Sequence, residues 1–122
     1  MTFKYADAFV TIASDDFVTL VEFYSQLLGT EPNPTIAKVY AEFNLKGLRL
    51  GIFKPKENNQ QEFADSAGSP MSLCIEVENL EEAIERLTEI GYPPPGKIII
   101  ASHGREIYAY DPAGNRLILH QK

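Results

Sequence analysis

The chain has 122 residues, 44% of them apolar, with 17 acidic against 11 basic side chains and a formal net charge of −6. That length suits one domain spanning 1–122 and excludes two independent ones, while the apolar fraction excludes a disordered chain. The acidic balance, without any Lys/Arg run, argues against nucleic acid, and the lack of a long apolar run argues against a signal peptide or a membrane partner, so a cytoplasmic protein is expected.

Phe9 to Ser14 is an apolar, β-branched run that predicts a buried strand. Phe17, Leu20, Val21, Tyr24, Leu27 and Leu28 then recur at helical spacing, with Asp15-Asp16 ahead of them as caps and Gly29 as the stop. Thr30 to Ile36 carries Pro32 and Pro34, which donate no ladder bond, so it predicts at most a short or edge strand. Val39, Ala41, Phe43 and Leu45 alternate with Tyr40, Glu42 and Asn44. After a Lys46-Gly47 turn, Leu48, Leu50 and Ile52 alternate with Arg49, Gly51 and Phe53, which predicts a hairpin. Lys54 to Pro70 is polar and rich in Asn, Gln, Ser and Gly; it reads as a surface connector or a lid over a site, not as a packed element.

The second half predicts a strand over Met71 to Val77, a helix over Leu80 to Ile90, and a break at Pro93-Pro94-Pro95-Gly96. Three further strands are expected at Lys97 to Ser102, Arg105 to Tyr110 and Asn115 to His120. Asp111-Pro112-Ala113-Gly114-Asn115 is a turn signal, since proline presets φ and glycine admits positive φ.

The stretch from Ala8 to Gly29 recurs 63 residues later, from Met71 to Gly91. Ile12, Phe17, Leu20, Val21, Tyr24 and Leu27 fall on Ile75, Leu80, Ala83, Ile84, Leu87 and Ile90. Two copies are too few for a solenoid and predict a pseudo-twofold domain. The expected fold is α+β: two βαβββ modules, the first over about 1–54 and the second over about 71–122, joined by a connector at 55–70. A single helix covers one face of each half-sheet, so the uncovered faces form a curved mixed sheet with a concave trough, the natural place for a ligand.

Several segments carry a family resemblance: Ser14-Asp15-Asp16 with Phe23-Tyr24 and Leu28-Gly29, Glu76-Val77-Glu78-Asn79-Leu80-Glu81 with Gly91, and Tyr110-Asp111-Pro112-Ala113-Gly114-Asn115. Together they resemble the vicinal oxygen chelate superfamily, which includes glyoxalase I, bleomycin resistance proteins and extradiol dioxygenases. The resemblance covers nearly the whole chain and implies a homodimer. Its catalytic members hold a divalent metal with four side chains, commonly His, Glu or Gln, which polarises substrate oxygens. On this sequence those positions fall at Phe9, Gly51, Ser72 and Ile118. None is a useful ligand, and a slip of one residue does not restore the set, so no metal and no cofactor are expected there. Other groups that a metal could recruit are Glu42, Glu76, His103 and His120.

Strand alternation puts Val10, Ile12, Leu48, Leu50, Ile52, Leu73, Ile75, Val77, Leu117 and Leu119 under the helices. The opposite set faces the trough: Thr11, Glu42, Gly51, Glu76, Arg116 and His120, together with nine residues taken as the ligand-binding set. Those nine are Phe9, Tyr40, Arg49, Phe53, Ser72, Cys74, Tyr108, Tyr110 and Ile118. Aromatic walls with few polar groups suit a small organic ligand. The bland alternative is that the aromatics pack on one another or at a dimer interface, and that Arg49 and Arg116 pair with Glu42 or Glu76. Cys74, the only cysteine, reads as a half-buried structural residue, and His103 as a solvated turn residue. Glu76 and His120 are the catalytic candidates, competent as an acid–base pair if buried together. Three functions stay open: metal-independent binding of a small organic molecule; a lyase, isomerase or dioxygenase with an atypical metal site or metal-free acid–base chemistry; and an interaction module with a filled trough.

Overall fold

A computed structural model describes residues 2–64 and 68–122. Each half has the order strand, helix, strand, strand, strand. The first contains β1 (Val10–Ala13), α1 (Phe17–Leu28), β2 (Thr35–Ile36), β3 (Tyr40–Leu45) and β4 (Leu48–Phe53). The second contains β5 (Leu73–Glu76), α2 (Leu80–Glu89), β6 (Ile99–Ala101), β7 (Gly104–Tyr110) and β8 (Arg116–Gln121). Two four-stranded mixed sheets result, ordered β1-β4-β3-β2 and β5-β8-β7-β6. In each, the first strand runs parallel to the last and the other pairs are antiparallel.

Local chemistry fixes the helices as the sequence predicts. The Asp16 carboxylate accepts from the Thr19 N–H at 3.3 Å, and the Asn79 side chain accepts from the Glu82 N–H at 2.9 Å, each satisfying a donor that the first helical turn leaves without a partner. Both helices are followed by glycine in the left-handed region, Gly29 at φ 66° and Gly91 at φ 96°, where a side chain would be strained.

The alternation is also as read. Ala41, Phe43, Leu50, Ile52, Ile107, Ala109, Leu117 and Leu119 are buried with Phe17, Leu20, Phe23, Tyr24, Leu80 and Leu87 in one hydrophobic cluster. Val10 is the exception, exposed because β1 is an end strand. The modules interlock through their helices: Phe23 meets Tyr92 edge to face at 5.2 Å, and the Arg86 guanidinium donates to the Gln26 carbonyl at 3.0 Å.

Two expectations need correction. The connector carries a 3-10 helix at Glu57–Phe63, where Phe63 packs edge to face on Phe53 at 5.2 Å. Its polar composition hides that single aromatic anchor; Asp65, Ser66 and Ala67 of the connector lie outside the described residues. Cys74 is exposed rather than half-buried, because β5, like β1, is an end strand. No helix among the described residues is long and apolar enough to cross a membrane.

Candidate functional site

A cavity of about 910 Å³ lies between the two end strands. All four residues of β1, Val10 to Ala13, line it, facing Leu73 and Cys74 of β5. Leu48 of β4 and Phe63 of the 3-10 helix supply further apolar wall, backed by the buried Tyr24 and Leu50, and Tyr110, Asn115 and Arg116 bring polar groups. Its size falls within the range of small-molecule sites, about 300–1,000 Å³, and its make-up matches the usual mix of apolar wall and few polar groups.

Arg116 is the cation of this lining. Its Nε donates to the Ser72 hydroxyl and its Nη2 to the Ser69 carbonyl, each at 2.8 Å. A guanidinium carries five donors, and these two bonds hold its plane against the cavity wall. The other charged lining residue is Glu62. Arg116 thus pairs with Ser72 and not with a carboxylate among the described residues.

The duplication relates Arg116 to Arg49. Thr11 pairs with Gly51 and Cys74 pairs with Ile118, so the two arginines hold matching places on β4 and β8. Each reaches the matching side chain ahead of its first strand, Phe9 or Ser72. Arg49 stacks over the Phe9 ring at 4.8 Å, pairs with Asp7, and lies 3.9 Å from Glu42. The Tyr40 hydroxyl donates to Glu42 at 2.7 Å, and burial, followed by this bond, raises its pKa above the usual tyrosine value. The Tyr40 ring lies across Gly51: a Cβ there would meet the Tyr40 hydroxyl at 2.7 Å.

Of the nine residues taken from alternation as ligand-binding, Ser72, Cys74 and Tyr110 line the cavity. Phe9, Tyr40, Arg49, Phe53, Tyr108 and Ile118 lie outside its lining. Phe9 and Arg49 hold each other, Tyr40 covers Gly51, Phe53 packs on Phe63, and Tyr108 pairs with Ile118 across β7 and β8. Alternation assigns faces, but an end strand offers side chains of both faces to a gap beside it. That is why Val10, Ile12 and Leu73 were missed as lining. Arg116 was within reach of the sequence as the partner of Arg49 under the repeat.

The positions at which the superfamily holds its metal do not fit one here. Phe9 is stacked under a guanidinium, Gly51 is covered by Tyr40, Ser72 accepts from a guanidinium, and Ile118 is aliphatic.

On the sheet of the second module a different group assembles. Oε1 of Glu76 lies 2.6 Å from Nδ1 of His120, whose Nε2 lies 2.8 Å from Nδ1 of His103. Nε2 of His103 lies 3.9 Å from Glu106. The catalytic candidates Glu76 and His120 are therefore in contact but not buried together, the Glu76 side chain being 60% exposed, and neither lines the cavity.

Comparison with known proteins agrees with this geometry. Residues 9–120 match the model of the glyoxalase-like domain. No curated protein matches the chain. Among solved structures it is similar to a glyoxalase/bleomycin resistance protein from Catenulispora acidiphila DSM 44928, with 23% identity over 97% of this chain and 99% of that one, at a TM-score of 0.70. A glyoxalase-related enzyme from Fulvimarina pelagi has 21% identity over 97% of this chain and 89% of that one, at a TM-score of 0.76. A bleomycin-binding protein solved with bleomycin has 20% identity over 97% and 99%, at a TM-score of 0.67. At those identities the structures speak for the fold alone. The paired βαβββ modules, the Asp111–Asn115 turn and the match over nearly the whole length agree: the chain belongs to the glyoxalase-like domain family of the vicinal oxygen chelate superfamily.

Proposed function

We propose that the protein binds a small, largely apolar organic molecule carrying an anionic or carbonyl group, in the cavity between β1 and β5 and without a metal at the family's usual position. The observation that carries this reading is Arg116, held by Ser72 and Ser69 in an otherwise mostly apolar wall. Apolar area supplies affinity there, and a fixed guanidinium supplies orientation and charge. A trough filled by its own side chains, as an interaction module would have, fits poorly with a cavity of about 910 Å³. A structural neighbour solved with bleomycin supports an organic ligand on this fold, without bearing on that ligand's size or charge.

The protein is further proposed to act as a homodimer, a reading supported by exposed Ile36, Val39, Ile99 and Ile100, the last 83% exposed. Light scattering of the purified chain measures this directly. Metal-free acid–base catalysis is the second reading, favoured by the 2.6 Å contact of Glu76 with His120. It ranks below binding because the pair stands outside the cavity lining.

Titration with 8-anilinonaphthalene-1-sulfonate, an aromatic probe with one anionic group, tests the binding reading. One molecule per chain is expected to bind, with Arg116→Ala weakening it about 10- to 100-fold, the effect of a charge-assisted hydrogen bond. Unchanged affinity in that variant refutes the assignment of Arg116.

A further inference from the structure

We propose that His103, Glu106 and His120 form a binding site for a borderline divalent cation such as Zn²⁺, with Glu76 orienting His120 from behind. The sheet register builds the row. Glu76 pairs with His120 across β5 and β8, and His120 pairs with Glu106 across β8 and β7, so the three side chains stand together on one face. His103 comes from the two-residue turn that joins β6 to β7, and leans over this row. Its ring centroid is 4.9 Å from that of His120, with the planes 31° apart.

Gly104 makes the approach possible. A Cβ at that position would run into the Gln121 carbonyl and sit 3.0 Å from Nε2 of His120. The turn can therefore close on His120 only with glycine beside His103.

One ligand atom from each of His103, Glu106 and His120 lies within 4.8 Å of the others. Two imidazoles and a carboxylate form a set that suits Zn²⁺ and leaves a fourth position open, whereas Mg²⁺ and Ca²⁺ favour all-oxygen sets. Glu76 supplies the supporting contact. A carboxylate 2.6 Å from Nδ1 favours the His120 tautomer protonated there, which leaves Nε2 free to act as a ligand beside His103. Without a cation, Nδ1 of His103 lies in hydrogen-bond contact with that nitrogen at 2.8 Å. Tetrahedral nitrogen ligands on Zn²⁺ stand about 3.3 Å apart, given Zn–N bonds of about 2.0–2.1 Å. The two nitrogens need to part by about 0.5 Å and turn toward a common point, with Glu106 closing in from within 4.8 Å.

Exposure matches the roles. The side chains of His120 and Glu106 are 13% and 16% exposed and are held by the sheet, while that of His103 is 61% exposed and leaves an entry path. None of the three lines the cavity, and none occupies a position where the superfamily holds its metal. The site is thus separate from the proposed ligand cavity.

Calorimetric titration of the full chain with Zn²⁺ after chelator treatment and dialysis tests the site, with Co²⁺ absorption as a second readout of four-coordinate geometry. One ion per chain is expected with micromolar or tighter affinity. His103→Ala should abolish it, and Glu76→Gln should weaken it about 10- to 100-fold as loss of a supporting partner does. Cys74→Ser should leave it unchanged. His103 is a turn residue, so its alanine variant is expected to keep the wild-type Tm. Absence of stoichiometric Zn²⁺ binding, binding undiminished in His103→Ala, or binding lost in Cys74→Ser would each overturn the proposal.

Discussion

The Tyr24 hydroxyl donates a 2.6 Å hydrogen bond to Oδ2 of Asp111, joining the first helix of one module to the last turn of the other. Asp111 is only 4% exposed, yet its carboxylate is well satisfied. It accepts from the backbone N–H groups of Ala113 and Asn115 and from the Asn115 side-chain amide, and so builds its own turn. Burial first, then the Asp111 charge and hydrogen bond, push the Tyr24 pKa far above the usual tyrosine range. Tyr24 stays a neutral donor at any pH at which the protein is studied.

Tyr24→Phe removes that donor and leaves a buried carboxylate one partner short. A loss of about 2 kcal/mol is expected, the scale of a hydrogen bond to a charged group. Urea denaturation of wild type and variant measures it, and a difference within experimental error would mean that this link between the modules carries no stability.

Arg105 and Glu81 supply a pH signature. Two hydrogen bonds from Arg105, at 2.5 and 2.9 Å, hold the Glu81 carboxyl down at about 2, below its ordinary 4.5. A carboxyl depressed on folding contributes stability that is present above 4.5 and lost as pH falls through about 2. Glu81→Gln should therefore lower Tm at pH 6, with the gap to wild type closing toward pH 2. A gap that does not change with pH would contradict the assignment of the pair.

Gly51 and Tyr40 are coupled by space. Gly51→Ala places a Cβ 2.7 Å from the Tyr40 hydroxyl and 3.0 Å from its ring, so a cost of about 1–3 kcal/mol is expected from overpacking. In a Tyr40→Ala background the same substitution should be close to neutral, and a double-mutant cycle by denaturant melts reads the difference. Equal costs in the two backgrounds would show that Tyr40 does not occupy the space over Gly51.

Much of the fold was legible because it rests on local chemistry that the sequence states twice. The Asp16 and Asn79 caps, the Gly29 and Gly91 stops, and the alternation through Phe43, Leu50, Leu117 and Leu119 each have a near-neighbour cause. The hairpin at Lys46-Gly47 and the turn at Asp111 carry their own turn residues. Phe63 was not legible: a short 3-10 segment has no apolar periodicity, and its one aromatic anchor finds Phe53 only after the chain has folded back.

The site was legible only in part, for a reason of geometry. Alternation told correctly that Leu50 and Gly51 point to opposite faces of β4. It could not tell that β1 and β5 stand apart as end strands, so that Val10 and Thr11 both reach one cavity. Contact between Glu76 and His120 depends on the register of β5 with β8, which the sequence does not show. His103 joins them through a turn tight enough to need Gly104, and nothing in its local sequence distinguishes it from a solvated turn histidine.

A small organic molecule is proposed to occupy the gap between β1 and β5. Thr11 is exposed and lines that gap, so Thr11→Trp should crowd the β1 side of it without disturbing the core beneath the helices. Titration of wild type and Thr11→Trp with 8-anilinonaphthalene-1-sulfonate, with circular dichroism to confirm equal folding, decides the matter. One bound probe per chain is expected in wild type, with weaker binding in the variant; equal binding by both proteins would contradict occupancy of this gap.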